Sequence, residues 1–153
     1  MAAPILCLVI LWPVFAQAAG QTAVPCSGAA SGPRIHIEVS GARRVAGNVT
    51  FTLYGEDRSR FLARRGSIAL TRVTLTGPVA EGCFAVSAPG TYAVAVYHDE
   101  NDNHHFDRTL LGLPAEGYGF SNNAAIFLGP PSFDSVRFTV GPGDTRLSIA
   151  LRY

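Results

Sequence analysis

The sequence predicts an all-β domain: a single seven-stranded antiparallel β-sandwich of the immunoglobulin-like kind, with one long loop excursion over about residues 99–131. Three observations carry this. Seven short segments read as strands, most of them alternating apolar and polar residues with a period of two. Gly and Pro punctuate the joints between them. No segment keeps apolar residues at a long helical spacing, and short strands at close intervals suit two packed sheets.

The chain opens with MAAPILCLVILWPVFAQA, residues 1–18, which reads as a signal peptide. Ile5 to Phe15 is apolar but too short for a stable membrane span. Ala16-Gln17-Ala18 supplies the small-residue cleavage pattern, so cleavage is expected after Ala18. No Lys or Arg precedes the run, which leaves the start amine as its positive charge. The alternative is a buried N-terminal strand or helix. Export places the protein in the periplasm or outside the cell. What remains suits one domain, with no later stretch apolar enough to cross a membrane.

Residues 19–33 are small, polar and rich in Gly and Pro, an extended leader before the domain at 34–153. In the first strand Ile35, Ile37 and Val39 alternate with His36 and Glu38 until Gly41. Val49, Phe51 and Leu53 mark the second, stopped at Gly55. Over 56–67, Asp57 is placed to cap a short helix and Gly66 to close it, with Phe61 and Leu62 as its anchor. Its four Arg (58, 60, 64 and 65) read as a solvated face or as a patch for an anionic partner. Strands follow at 68–76 and 84–86. After the Pro89-Gly90 turn comes a fifth, in which Tyr92, Val94 and Val96 share one face and Ala93, Ala95 and Tyr97 the other. Both faces are apolar or small, which predicts a central position in its sheet. Segments 135–140 and 145–153 complete the seven.

A net charge of +1 suggests neither nucleic acid nor an acidic surface as partner. Cys7 lies in the leader peptide, so Cys26 and Cys83 remain as an even pair in an oxidising compartment. A disulfide between them is expected, with two buried thiols as the alternative.

The functional signal is YHDENDNHHFD, residues 97–107. It gathers three Asp, one Glu, two Asn and three His in a chain only 15% charged. Counted from Asp99, oxygen donors fall at positions one (Asp99), three (Asn101), five (Asn103) and nine (Asp107), with the backbone carbonyl of His105 at seven. A curled loop turns such alternate positions toward one centre, which is how calcium loops wrap a hard cation. Position six, ordinarily Gly, is His104, and position twelve, ordinarily Glu, is Leu110. Calcium binding is therefore expected to be weak, with Glu116 or Asp134 able to fold back as a further ligand. A turn held by Asp and Asn side chains on backbone N–H groups explains the same residues without an ion. A zinc or copper site using His98, His104 and His105 is a third reading. A periplasmic hydrolase is a fourth, with His98 and Asp99 or Glu116 acting on Ser121. Ser121 does not lie in a G-x-S-x-G elbow. Asn48-Val49-Thr50 matches a glycosylation acceptor but sits inside a predicted strand.

The run PGTYAVAVYHDENDNHHFDRTLLGLPAEGYGFSNNA, with FLGPPSF beyond it, resembles the bacterial family known as domain of unknown function 2141. The shared pattern is a G-x-Y-A turn and strand, an H-D-x-N-x-N-x-x-x-D loop, then G-x-P-x-E-G-Y-G-F-S, here from Gly90 to Ser121. The resemblance implies an exported β-rich domain and confers no activity. Its PGTY turn also resembles transthyretin-like and carboxypeptidase-regulatory-like sandwiches, which serve as accessory modules. The expectation is thus a non-enzymatic accessory protein with a protein or carbohydrate partner in the cell envelope. His98, Tyr118, Phe120, Ser121 and Asn122 are its expected interaction surface, with Phe127 and Phe133 as further rings to stack on a sugar.

Overall fold

A computed structural model describes residues 25–28, 31–127 and 129–153. The expected signal peptide lies outside the described residues, as do residues 19–24, 29 and 30 of the leader. The all-β expectation holds, with nine strands in two sheets among the described residues: β1 (Ser27–Gly28), β2 (Arg34–Ser40), β3 (Asn48–Tyr54), β4 (Ala69–Thr74), β5 (Val79–Ala85), β6 (Gly90–Asp99), β7 (Gly117–Phe120), β8 (Phe138–Val140) and β9 (Thr145–Ala150). The first sheet runs β1-β5-β2-β9. The second runs β4-β3-β6-β7, with β8 also on β6.

Two features correct the seven-stranded antiparallel expectation. β2 pairs in parallel with β9, and β1 in parallel with β5. The supposed excursion also contains β7, which pairs with β6 from Ala95↔Phe120 to His98↔Gly117. GYGF reads as a loop because two of its four residues are Gly. The packing requires them: a Cβ on Gly117 would enter the Tyr153 ring. Segment 135–140 also starts differently. Phe133–Val136 forms one helical turn, α1, before β8 begins.

The alternation decides which side of each strand is buried. Ile35, Ile37 and Val39 from one sheet meet Val49, Phe51, Leu53, Val94 and Val96 from the other. The second face of β6 is covered too. Ala93, Phe120, Ala124, Phe133 and Val136 form a smaller core outside the second sheet, joined by Phe61 and Tyr118. This is why β6 is apolar on both faces, and it lies centrally as expected. Phe61 enters through a short 3₁₀ turn, Arg58–Arg60, capped by Asp57 Oδ1 on the Ser59 N–H at 3.0 Å. Leu62, the other expected anchor, is left 41% exposed.

Cys26 and Cys83 are bonded, with Cα atoms 4.4 Å apart and a sequence separation of 57. Closing a loop of that length stabilises the fold by about 4 kcal/mol in the chain-entropy treatment. The bond holds the leader where Ser27 and Gly28 add to the edge of β5.

Candidate functional site

The site lies at the C-terminal end of β6, where the chain leaves the sheet at Asp99 and returns at Gly117. Register builds its base. Asn48 stands directly opposite Asp99 across the β3–β6 ladder. Both are buried, and Asn48 Nδ2 donates to Asp99 Oδ2 at 3.0 Å. Asn48 Oδ1 in turn accepts the Thr50 hydroxyl at 2.9 Å. Gly47, at φ +63°, lets the neighbouring strand pass close to the Asp99 carbonyl, where any side chain would collide.

Asp99 then organises the turn. Its Oδ1 accepts the Asn103 N–H at 3.0 Å and its Oδ2 the His104 N–H at 2.8 Å. His104 adopts φ +65°, the left-handed conformation that position six of a calcium loop requires. Two charge-assisted backbone bonds onto Asp99 hold the residue there although it is not Gly. Asn101 and Asn103 each accept a backbone N–H two residues on, from Asn103 at 3.2 Å and His105 at 2.8 Å. Their amide nitrogens both donate to Asp107 Oδ2, at 2.8 and 2.9 Å. The side chains of Asn101, Asn103 and Asp107 thus meet at one point. Asp99 faces the backbone from beneath. The His105 side chain is exposed.

Glu116 does fold back, but onto backbone. Its two oxygens accept the N–H groups of Glu100 at 3.2 Å and Asp107 at 3.0 Å, tying the two ends of the loop. Burial pushes its carboxyl above the ordinary range; the two N–H bonds oppose this, and the charges of Asp99 and Asp107 add to it. Asp134 is elsewhere, paired with Arg58 and Arg137. Sequence reasoning missed several neighbours. Asp102, at φ +58°, accepts from Asn48 Nδ2 at 2.6 Å. Side-chain ligand atoms of Asp99, Asp102 and His104 lie within 4.8 Å of one another. The Glu100 carboxylate sits between Arg43 Nε at 2.6 Å and Arg44 Nε at 3.3 Å. The Arg43 approach is oblique, so Oε1 is held by charge rather than by an aligned hydrogen bond. Arg43, Arg44, Glu100, Asn101, Asp107, Ala115 and Glu116 line a pocket of about 250 Å³.

Burial corrects the expected interaction surface. His98 and Ser121 are wholly buried and Phe120 is 7% exposed. Phe133 is buried as well, and Tyr118 is half-buried between Phe106 and Phe120. Asn122 is exposed, but its amide is committed to the Ser135 and Arg137 carbonyls at 3.1 and 3.0 Å. Only Phe127 among the named rings stands free, at 87% exposure.

The hydrolase arrangement does not form. His98 Nε2 lies 2.8 Å from the Ala46 carbonyl, so that nitrogen carries the proton. Nδ1 is left to accept the Tyr153 hydroxyl at 2.8 Å. Neither nitrogen is free to act as a base or to join a transition metal. Ser121 Oγ is spent on β6 and α1: it accepts the Val94 N–H at 3.0 Å and donates to the Val136 carbonyl at 2.5 Å. Ser121, just after β7, and His98 on β6 are buried and bonded elsewhere, so they do not form a nucleophile–base pair.

These features define a class: an all-β domain of two sheets whose β6–β7 connection is cross-linked by its own Asp, Asn and Glu side chains. The chain belongs to the family described as "Uncharacterized protein conserved in bacteria (DUF2141)", whose profile matches residues 37–148. Neither a curated protein nor a solved structure matches it.

Proposed function

We propose that the protein is an exported, non-enzymatic accessory module, periplasmic or secreted, built as an immunoglobulin-like or transthyretin-like sandwich. Its β6–β7 end is the contact end, and its loop takes calcium weakly. One observation carries the calcium reading: Asn101, Asn103 and Asp107 converge on a single point while His104 holds the left-handed turn. Rotating the two amides by half a turn replaces their nitrogens with oxygens beside the Asp107 carboxylate. That is the start of a hard-cation shell. The rotation breaks the bonds that Asn101 and Asn103 accept from backbone N–H groups, which keeps the affinity low. Dissociation constants of about 10⁻⁴–10⁻³ M are typical of such extracellular sites. A thermal melt tests this. At a tenfold excess over the dissociation constant, calcium adds about 1.4 kcal/mol of stability, reversed by chelator. An unchanged melt at 10 mM calcium, roughly ten times the weakest constant in that range, refutes the reading and leaves a loop held by side chains alone.

A second reading has its own observation. Asp99, Asp102 and His104 offer two carboxylates and an imidazole at close range. A larger shift with zinc than with calcium, lost in a His104→Ala variant, would replace calcium with a transition metal.

A further inference from the structure

Beyond the polar loop the chain makes a second, tighter turn. Arg108 and Pro114 bridge across its neck. Thr109 N–H bonds the Leu113 carbonyl at 2.8 Å, and Gly112 N–H bonds the Thr109 carbonyl at 2.8 Å. Leu113 N–H finds the Thr109 hydroxyl at 3.2 Å, and the Arg108 guanidinium caps the Gly112 carbonyl at 2.9 Å. This closed turn holds out Leu110, Leu111 and Leu113, which are 107%, 87% and 61% exposed. Its base is anchored by Phe106, packed edge-to-face on Tyr97 at 5.6 Å and Tyr118 at 5.8 Å. At the base Arg43 donates to the Ala115 carbonyl at 3.2 Å, Arg43 and Arg44 flank Glu100 beside Asp107, and Arg108 lies over the Phe106 ring.

We propose that the 109–114 turn is a wedge that enters the surface of a phospholipid bilayer. The three leucines bury in the headgroup–acyl boundary while the mixed-charge rim meets zwitterionic headgroups. Four features favour lipid over a protein groove. The leucines stand on a convex tip. The N–H and C=O groups of Thr109 and Leu113 and both groups of Gly112 are already bonded within the turn, which lowers the cost of bringing it into lipid and leaves them closed to a pairing strand. The rim carries both signs, matching a headgroup with one phosphate and one ammonium. The turn is closed by its own bonds and its base is packed on Tyr97 and Tyr118 through Phe106, so little ordering opposes insertion. The proposal draws on the preceding reading only for the exported location, and it needs no ion.

The test uses protein purified after export and vesicles of phosphatidylethanolamine and phosphatidylcholine, with chelator present throughout. The chain is expected to sediment with the vesicles. A Leu110→Ser/Leu111→Ser double variant should lose about a hundredfold in partitioning, with an unchanged melt. In a Leu111→Trp variant, the fluorescence difference from the unsubstituted chain should shift to the blue on adding vesicles and be quenched by brominated acyl chains. Absence of sedimentation overturns the proposal. So does a double variant that sediments as well as the parent, or a Trp at 111 that stays unshifted. Because calcium is excluded, these outcomes are independent of the calcium melt.

Discussion

Residues 99–107 and residues 108–114 are consecutive, yet they keep their shapes by different means. The first segment is cross-linked by side chains, with the buried Asp99 taking backbone N–H groups from two successive residues and an amide from Asn48. The second is a backbone turn whose large side chains touch almost nothing. In the first, polar side chains are structural. In the second, apolar side chains are not. The usual division of labour is reversed in both, so stability and contact chemistry should respond to different substitutions.

The largest effect should come from the hub. Asp99→Ala leaves two backbone N–H groups and the Asn48 amide without their buried acceptor, at a cost of about 3 kcal/mol in urea unfolding. A loss below about 1 kcal/mol, the value of one ordinary hydrogen bond, would mean the loop does not depend on it. His104→Gly should act the other way. It relieves a left-handed residue and raises stability by about 0.5–1 kcal/mol after the added freedom of the unfolded chain is counted. If calcium binds, the same variant should bind it more tightly. At the tip, Leu110→Ser/Leu111→Ser should change unfolding stability by less than about 0.5 kcal/mol, since neither side chain is buried. A larger loss would mean the leucines are packed in solution and the contrast is false.

The smallest effect concerns pH. Glu116 has a raised pKa in the fold, chiefly from burial, so near its titration range the native state holds more proton than the unfolded chain. Its contribution to stability therefore falls as pH rises through the window between its unfolded and folded values, and returns on acidification. Glu116→Gln removes that dependence. The parent should gain stability relative to this variant as pH falls from neutral toward the unfolded carboxylate value. A parallel pH profile for the two proteins would exclude Glu116 as the source.

Much of the fold was legible because period-two alternation is local. Ile35, Ile37 and Val39, or Val49, Phe51 and Leu53, announce a buried face without reference to any partner. The parallel pairing of β2 with β9 was not legible, because alternation says nothing about which strand lies alongside. β7 was hidden by Gly117 and Gly119, whose small size answers to Tyr153 and Ile149 far along the chain. Within the site, the loop's own donors were readable from their spacing. Asn48 was not: its place opposite Asp99 follows from the β3–β6 register. The aromatic residues looked like a contact surface because sequence does not reveal that β6 is covered on its outer face.

Asn123 carries a consequence of another kind. β9 is the outermost strand of its sheet, and there Asn123 donates to the Ser148 carbonyl at 3.1 Å and accepts the Ala150 N–H at 2.8 Å. One amide thus imitates the peptide group of an absent neighbour. An extended segment from another molecule seeking to template growth along that border finds the rung already occupied. A single side chain thus closes this part of the border to strand addition.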